Sequence, residues 1–205
     1  MGKIDFKKTL DSYNAKHGQF DIIEVPKIQY LMVDGHGDPN TSLEFKNAIL
    51  ALYPVAYKLK FMSKLDLGKD YAVMPLEALW WAKDMSSFTT ARDKSHWDFT
   101  AMIMQPEWIS AEMFEAAKQK ALHKNPDLDV SKLRFESLDE GLCVQTMHVG
   151  SFDDEAPVLA QLHGEFIPSQ GLKMTQKHHE IYLSDFRRVA LEKLRTILRQ
   201  PVAKA

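Results

Sequence analysis

QYLMVDGHGD, residues 29–38, has a counterpart in QTMHVGSFDD, residues 145–154, and the pair decides the fold. Each reads as a strand that ends at glycine, with acidic residues directly after it. Each is followed by an amphipathic helical stretch, and then by a strand with one acid in apolar company: Glu77 in MPLEALWW and Glu180 in HHEIYLSD. The letters differ but the order repeats. Two strand-helix-strand-strand modules side by side give an α+β fold, a curved antiparallel sheet with helices on one face and a cleft between the modules, opening opposite the helices.

Working outward, residues 1–25 form an N-terminal extension too short for a helix-turn-helix domain, and residues 26–205 form the domain proper. Module one spans about 26–122 and module two about 131–205, joined by the polar HKNPDLDVS. SLEFKNAILALYPVAYKLKF places Phe45, Ile49, Leu52, Ala56 and Leu59 at helical spacing. Pro54 lacks an N–H and crowds the preceding turn, which predicts a kink or break between Leu50 and Pro54. DYAVMPLEALWWA and HWDFTAMIMQPEWI read as neighbouring antiparallel strands, and SAEMFEAAKQKAL as a helix capped by Ser110. KLRFESLDEGLCVQTMHVG suggests a hairpin turning at Asp139, Glu140 and Gly141. DDEAPVLAQLHGEF has a helical stripe at Leu159, Leu162 and Phe166, and VALEKLRTILRQ reads as a closing amphipathic helix.

Composition narrows the function. The chain has 205 residues, 45% hydrophobic and 26% charged, with a formal net charge of −2, so no global positive field is available to hold nucleic acid. No stretch approaches the roughly 18 apolar residues of a membrane span, and the N-terminus lacks a signal-peptide pattern, so a cytoplasmic protein is expected. The single cysteine, Cys143, has no internal disulfide partner and reads as a small core residue. GHGDP lacks the glycine fingerprint and lysine of a phosphate loop, and Ser184 lacks a nucleophile elbow.

Two constellations remain. The first is acid beside aromatics: Glu77, Trp80, Trp81, Trp97, Phe99, Glu180 and Tyr182 supply stacking walls and a few placed polar groups, the inventory of a pocket for a planar or cationic organic molecule. Strand alternation puts His178, Glu180 and Tyr182 on one face and Ile181 and Leu183 on the other, so His178 can tune the acid. The blander alternative makes the tryptophans core filler and the glutamates exposed strand residues, but a glutamate is depleted in strands and costly to bury alone. The second is histidine: His178 and His179, adjacent on a strand, point to opposite faces and do not chelate together, and His148 and His163 add no metal motif. Neither a metal nor another cofactor is expected.

LYPVAYKLKF, VMPLEALWW, MIMQPEWI, GLCVQTMHVGSFDDE, KHHEIYLSDFRR and EKLRTILRQP together resemble the GyrI-like small-molecule-binding proteins, over about Pro26 to Pro201. The resemblance implies the duplicated fold already read and a hydrophobic or aromatic organic ligand between the modules, with no direct contact to nucleic acid or membrane. The stand-alone branch it is similar to includes hydrolases of cyclopropanoid DNA-alkylating natural products. Carried over, Glu180 takes the place of the pocket acid, Tyr182 of its neighbouring phenol, and Glu77, Trp80 and Trp81 of the first module's aromatic strand. Phe186 departs from the proline of that pattern, and Pro54 interrupts the first helix. The implied activity is glutamate-assisted water addition, with a Glu180 pKa raised toward neutrality. Two alternatives are a binder that sequesters drug-like or cationic ligands and a partner-binding protein that shields a topoisomerase.

Overall fold

In a computed structural model, residues 2–84, 93–185 and 188–205 are described; Phe186 lies outside them. Short helix α1 (Phe6–Thr9) leads to strands β1 (Asp21–Val25) and β2 (Ile28–His36), then to the long helix α2 (Leu43–Asp66). β3 (Glu77–Trp81), β4 (Asp98–Gln105) and helix α3 (Ala111–Lys124) complete the first half. The second runs through β5 (Arg134–Leu138), β6 (Gly141–Val149), α4 (Ala156–Ala160), a π-helical stretch (Gln161–Phe166), α5 (Ile167–Ser169), β7 (Leu172–Met174), β8 (His178–Tyr182) and β9 (Arg195–Lys204).

The strands form one antiparallel sheet in the order β1-β6-β9-β8-β3-β4-β2-β5, with β7 added on β9. That order is symmetric about the β8-β3 seam, since β6, β9 and β8 mirror β2, β4 and β3. The edge strands are exchanged. β1 precedes β2 in the chain yet pairs with β6, and β5 precedes β6 yet pairs with β2. Asp139 and Glu140 therefore do not turn a hairpin: Gly141, with φ of +61°, lets the chain pass from one half of the sheet to the other.

Helices cover one face. Ser42 caps α2 by accepting from the Phe45 amide, and Phe45, Ala48, Leu52, Val55, Ala56 and Leu59 form its buried stripe. Phe114 of α3 stacks on Phe135, and His163 of the π stretch meets His178 edge-on. The N-terminal segment crosses the centre of the opposite face, bridging Ile4 to Tyr71 and His17 to Met147.

Two further sequence expectations are corrected. α2 runs unbroken through Pro54, which lies on its exposed side, where water can satisfy the carbonyl that proline leaves unbonded. The closing segment is strand β9, because period-two burial of Ile197 and Arg199 against one face and Thr196 and Leu198 against the other outweighs its helical letters. The helix expected after β6 is present: residues 152–169 are continuously helical, opening with a 3-10 turn and carrying a π segment at the centre.

Candidate active site

Register fixes which side chains meet. β3 and β8 pair as Glu77 with Ile181, Ala78 with Glu180, Leu79 with His179 and Trp80 with His178. Directly paired residues share a face, so Trp80, His178, Glu180 and Tyr182 gather under the helices, while Glu77, Trp81 and His179 point away from them. A two-fold normal to the sheet preserves faces, so Glu77 corresponds to a residue on the His179 side of β8. The matched glutamates read from the sequence thus stand back to back.

On the helix face, the Trp80 indole donates to the Tyr182 oxygen at 2.9 Å, and the Tyr182 hydroxyl donates to Glu180 Oε2 at 2.8 Å. His178 Nε2 stands 3.7 Å from Glu180 Oε1. Glu180 is only 8% exposed, so its carboxylate sits in an almost dry setting with a fixed donor. Burial, then the charge and hydrogen bond of Glu180, push the Tyr182 phenol well above its usual value near 10, and the nearby charge of Glu155 adds to this. Tyr182 is therefore a permanent donor at neutral pH. Burial, then the neighbouring His163 and His178's own neighbour His179, hold His178 well below the usual imidazole value, so it is neutral.

The walls are aromatic. Trp80 lies 5.8 Å from Trp97 and 5.7 Å from Phe99, Phe45 of α2 closes on both Trp80 and Phe99, and Phe152 meets Tyr182 edge-on at 5.5 Å. Phe99 is wholly buried between Trp80 on β3 and Gly35 on β2, and a Cβ on Gly35 would come within 2.3 Å of its ring. Gly35 is thus a seat for Phe99, and the turn belongs to Gly37 with φ of +102°. Lys94 of the segment before β4 bonds Asp153 at 2.7 Å, joining the two halves beside the cluster. Trp80, Phe99, His178, Glu180 and Tyr182 thus gather on the helix side of the sheet, whereas the sequence reading set the cleft on the open side.

On the opposite face a second polar set is sealed in. Tyr13 donates to Glu77 Oε1 at 2.6 Å, His179 spans Glu77 at 3.0 Å and Glu140 at 2.9 Å, and Arg199 donates to Glu140 at 2.9 Å and to Gln145 at 3.2 Å. Arg199 also donates to the Ser12 carbonyl. Burial lowers the His179 pKa, but the charge of Glu140 and the hydrogen bonds that the ring donates to both carboxylates prevail and raise it. Burial likewise pushes Glu140 up, yet His179 and Arg199 bring it down to about 2. Two anions and two cations are thereby neutralised, and the set pins the N-terminal segment to the sheet. Trp81 lies on this face under the Lys177 ammonium, 3.1 Å from its ring centroid. Burial pushes the Cys143 thiol up to about 12, which leaves it an inert core group.

As site residues, sequence reading missed Phe45 against Trp80, Phe152 and Glu155 near Tyr182, and Tyr13, Glu140 and Arg199 behind the sheet. Nothing in SFDDE distinguishes Glu155, 3% exposed, from the open Asp153 and Asp154. Arg199 is hidden within a run of basic residues that looks solvated.

A duplicated α/β module with an enclosed acid among aromatics defines a small-molecule-binding domain. Residues 18–203 match the GyrI-like small molecule binding domain, and the chain belongs to that family. It is 40% identical to a conserved protein of Listeria innocua, over 98% of this chain and 100% of that one, with a TM-score of 0.89. A crystal structure described as a hydrolase from Listeria innocua is likewise 40% identical over 98% and 100% of the two chains, with a TM-score of 0.85. The EcmrR C-terminal domain, at 12% identity, a TM-score of 0.55 and coverage of 91% and 98%, shares the fold. No curated protein matches the chain. Among the described residues, no helix is long and apolar enough to cross a membrane.

Proposed function

We propose that this protein is a cytoplasmic hydrolase that opens strained, electrophilic cyclopropanoid molecules by adding water, with Glu180 as base. The observation that carries the reading is the chain from Trp80 through Tyr182 to Glu180, which holds one nearly buried carboxylate in a fixed orientation among aromatic walls. Hydrolase relatives at 40% identity over nearly the whole chain support the reaction class.

In a cyclopropane fused to a dienone, the oxygen of water bonds to the ring methylene as the strained carbon–carbon bond breaks. The released electron pair passes to the dienone oxygen, giving a phenolate. Glu180 accepts the proton of the attacking water, and that proton ends on the phenolate, so the net change is the gain of one water. Tyr182 donates its one proton to Glu180 and so keeps the carboxylate turned toward the attacking water. Trp80 and Trp97 stack on the flat ring system, Phe99 stiffens Trp80, and His178 limits the access of bulk water to Glu180.

Mass spectrometry on strained natural products tests the proposal by their gain of one water. Glu180→Gln keeps shape and hydrogen-bonding reach but loses the base, so binding of a neutral ligand should persist while turnover falls roughly 100- to 10,000-fold. Full turnover in a well-folded variant sinks the mechanism. Stoichiometric binding with the compound recovered unchanged favours sequestration.

A further inference from the structure

The outer face of α2 is as apolar as its inner one. Leu43, Leu50, Tyr57, Phe61 and Leu65 are 69%, 63%, 50%, 49% and 77% exposed. With exposed Pro54 they fall within an arc of about 80° at the helical 100° per residue, opposite the stripe that packs on the sheet. Scattered exposed leucines are ordinary, but an outward stripe of about 33 Å, interrupted only by Asn47, is the mark of a covered surface. A helix apolar on both sides belongs between two layers.

We propose that a second copy of this chain covers α2, through an antiparallel α2–α2 contact about a two-fold axis near residue 52. Three observations favour a second copy. The stripe is self-complementary: in this register Leu50 meets Pro54 of the second copy, and Leu43 meets its Phe61, each contact occurring twice. Charge matches as well. An antiparallel pair brings like edges together, placing Glu44 of one copy, which within its own chain meets the exposed Lys132 at 3.3 Å, by Lys58 of the other. Lys58 lies at the rim of a basic depression shared with Lys120, His123 and Lys124 of α3, which needs an acid. On the other edge, Lys60 is already held by Asp70 at 3.1 Å, so its charge does not oppose the contact. Finally, five large side chains so exposed, each able to bury on the order of 100 Å², with Pro54 and the flanking aliphatic stems, offer roughly 600–700 Å² per copy, near the ~800 Å² of a standard interface. Since Phe45 on the inner side of α2 packs on Trp80, the contact would clamp the wall of the aromatic cluster.

Sedimentation equilibrium of the full chain tests this. The expected mass is that of two 23.5 kDa chains, falling to one chain in Leu50→Glu, which should still melt cooperatively but at a temperature that no longer rises with protein concentration. Glu44→Lys and Lys58→Glu should each weaken the dimer about tenfold, and the double charge swap should restore it, a rescue that a merely structural role would not give. A monomer at every concentration overturns the proposal, as does a dimer unaffected by Leu50→Glu. Monomers that bind anionic lipid vesicles through the same stripe, and lose that binding in Leu50→Glu, would assign the face to a lipid surface instead.

Discussion

Tyr182 is the residue on which the helix-face site turns, since it accepts from Trp80 and donates to Glu180. Tyr182→Phe removes both bonds, leaving a buried indole N–H and a nearly dry carboxylate short of a partner. We expect turnover to fall on the order of 100-fold, the scale for losing one placed donor, and stability to drop by about 1–3 kcal/mol. Ligand titration and a melting curve on one preparation check this, and unchanged turnover would remove Tyr182 from the chemistry. The alternation of HHEIYL is local, so the shared face of His178, Glu180 and Tyr182 was legible in the sequence. The face taken by Glu77 was not, because parity on β3 depends on its register with β8, about a hundred residues away.

At the scale of elements, β9 shows why the closing segment misled. Its leucines, isoleucine and arginines suit an amphipathic helix, yet Arg199 is 1% exposed and central to a network formed with β8, the β5–β6 connection and the N-terminal segment. Only tertiary partners make a buried arginine tolerable, and no local pattern announces them. Arg199→Leu would leave Glu140 with His179 as its one cation and the Ser12 carbonyl without its donor. The expected loss is about 3–5 kcal/mol, the cost of breaking a buried pair, with amides near Ser12 and Tyr13 exchanging faster. The repeated strand-helix-strand-strand order of the two halves was legible because glycine-terminated strands and amphipathic stretches recur. The edge exchange was not, since DEG suits a hairpin and a crossing equally.

For the whole molecule, buried titrations on the two faces of the sheet set opposite limits to stability. His179 has a raised folded pKa, so its contribution is complete below the unfolded value of about 6.5 and is lost as pH rises through the folded one. Glu140 has a folded value of about 2 against 4.5, so its contribution is present above 4.5 and is lost as pH falls toward 2. Burial lowers His163 to about 4 and holds His178 low as well, so both stay neutral in the folded state and favour unfolding as pH falls below about 6.5. The melting temperature should therefore peak near neutral pH, with an alkaline limb from His179 on the N-terminal face and an acid limb begun by the histidines under the helices. His163→Phe separates the two, because an apolar ring keeps the edge contact with His178 while removing one proton-binding site from the unfolded chain. Melting scans from pH 4 to 9 should show the variant's acid limb displaced to lower pH and its alkaline limb unmoved. An acid limb identical to that of the parent would mean that His163 titrates equally in both states and that burial on the helix side does not set this limit.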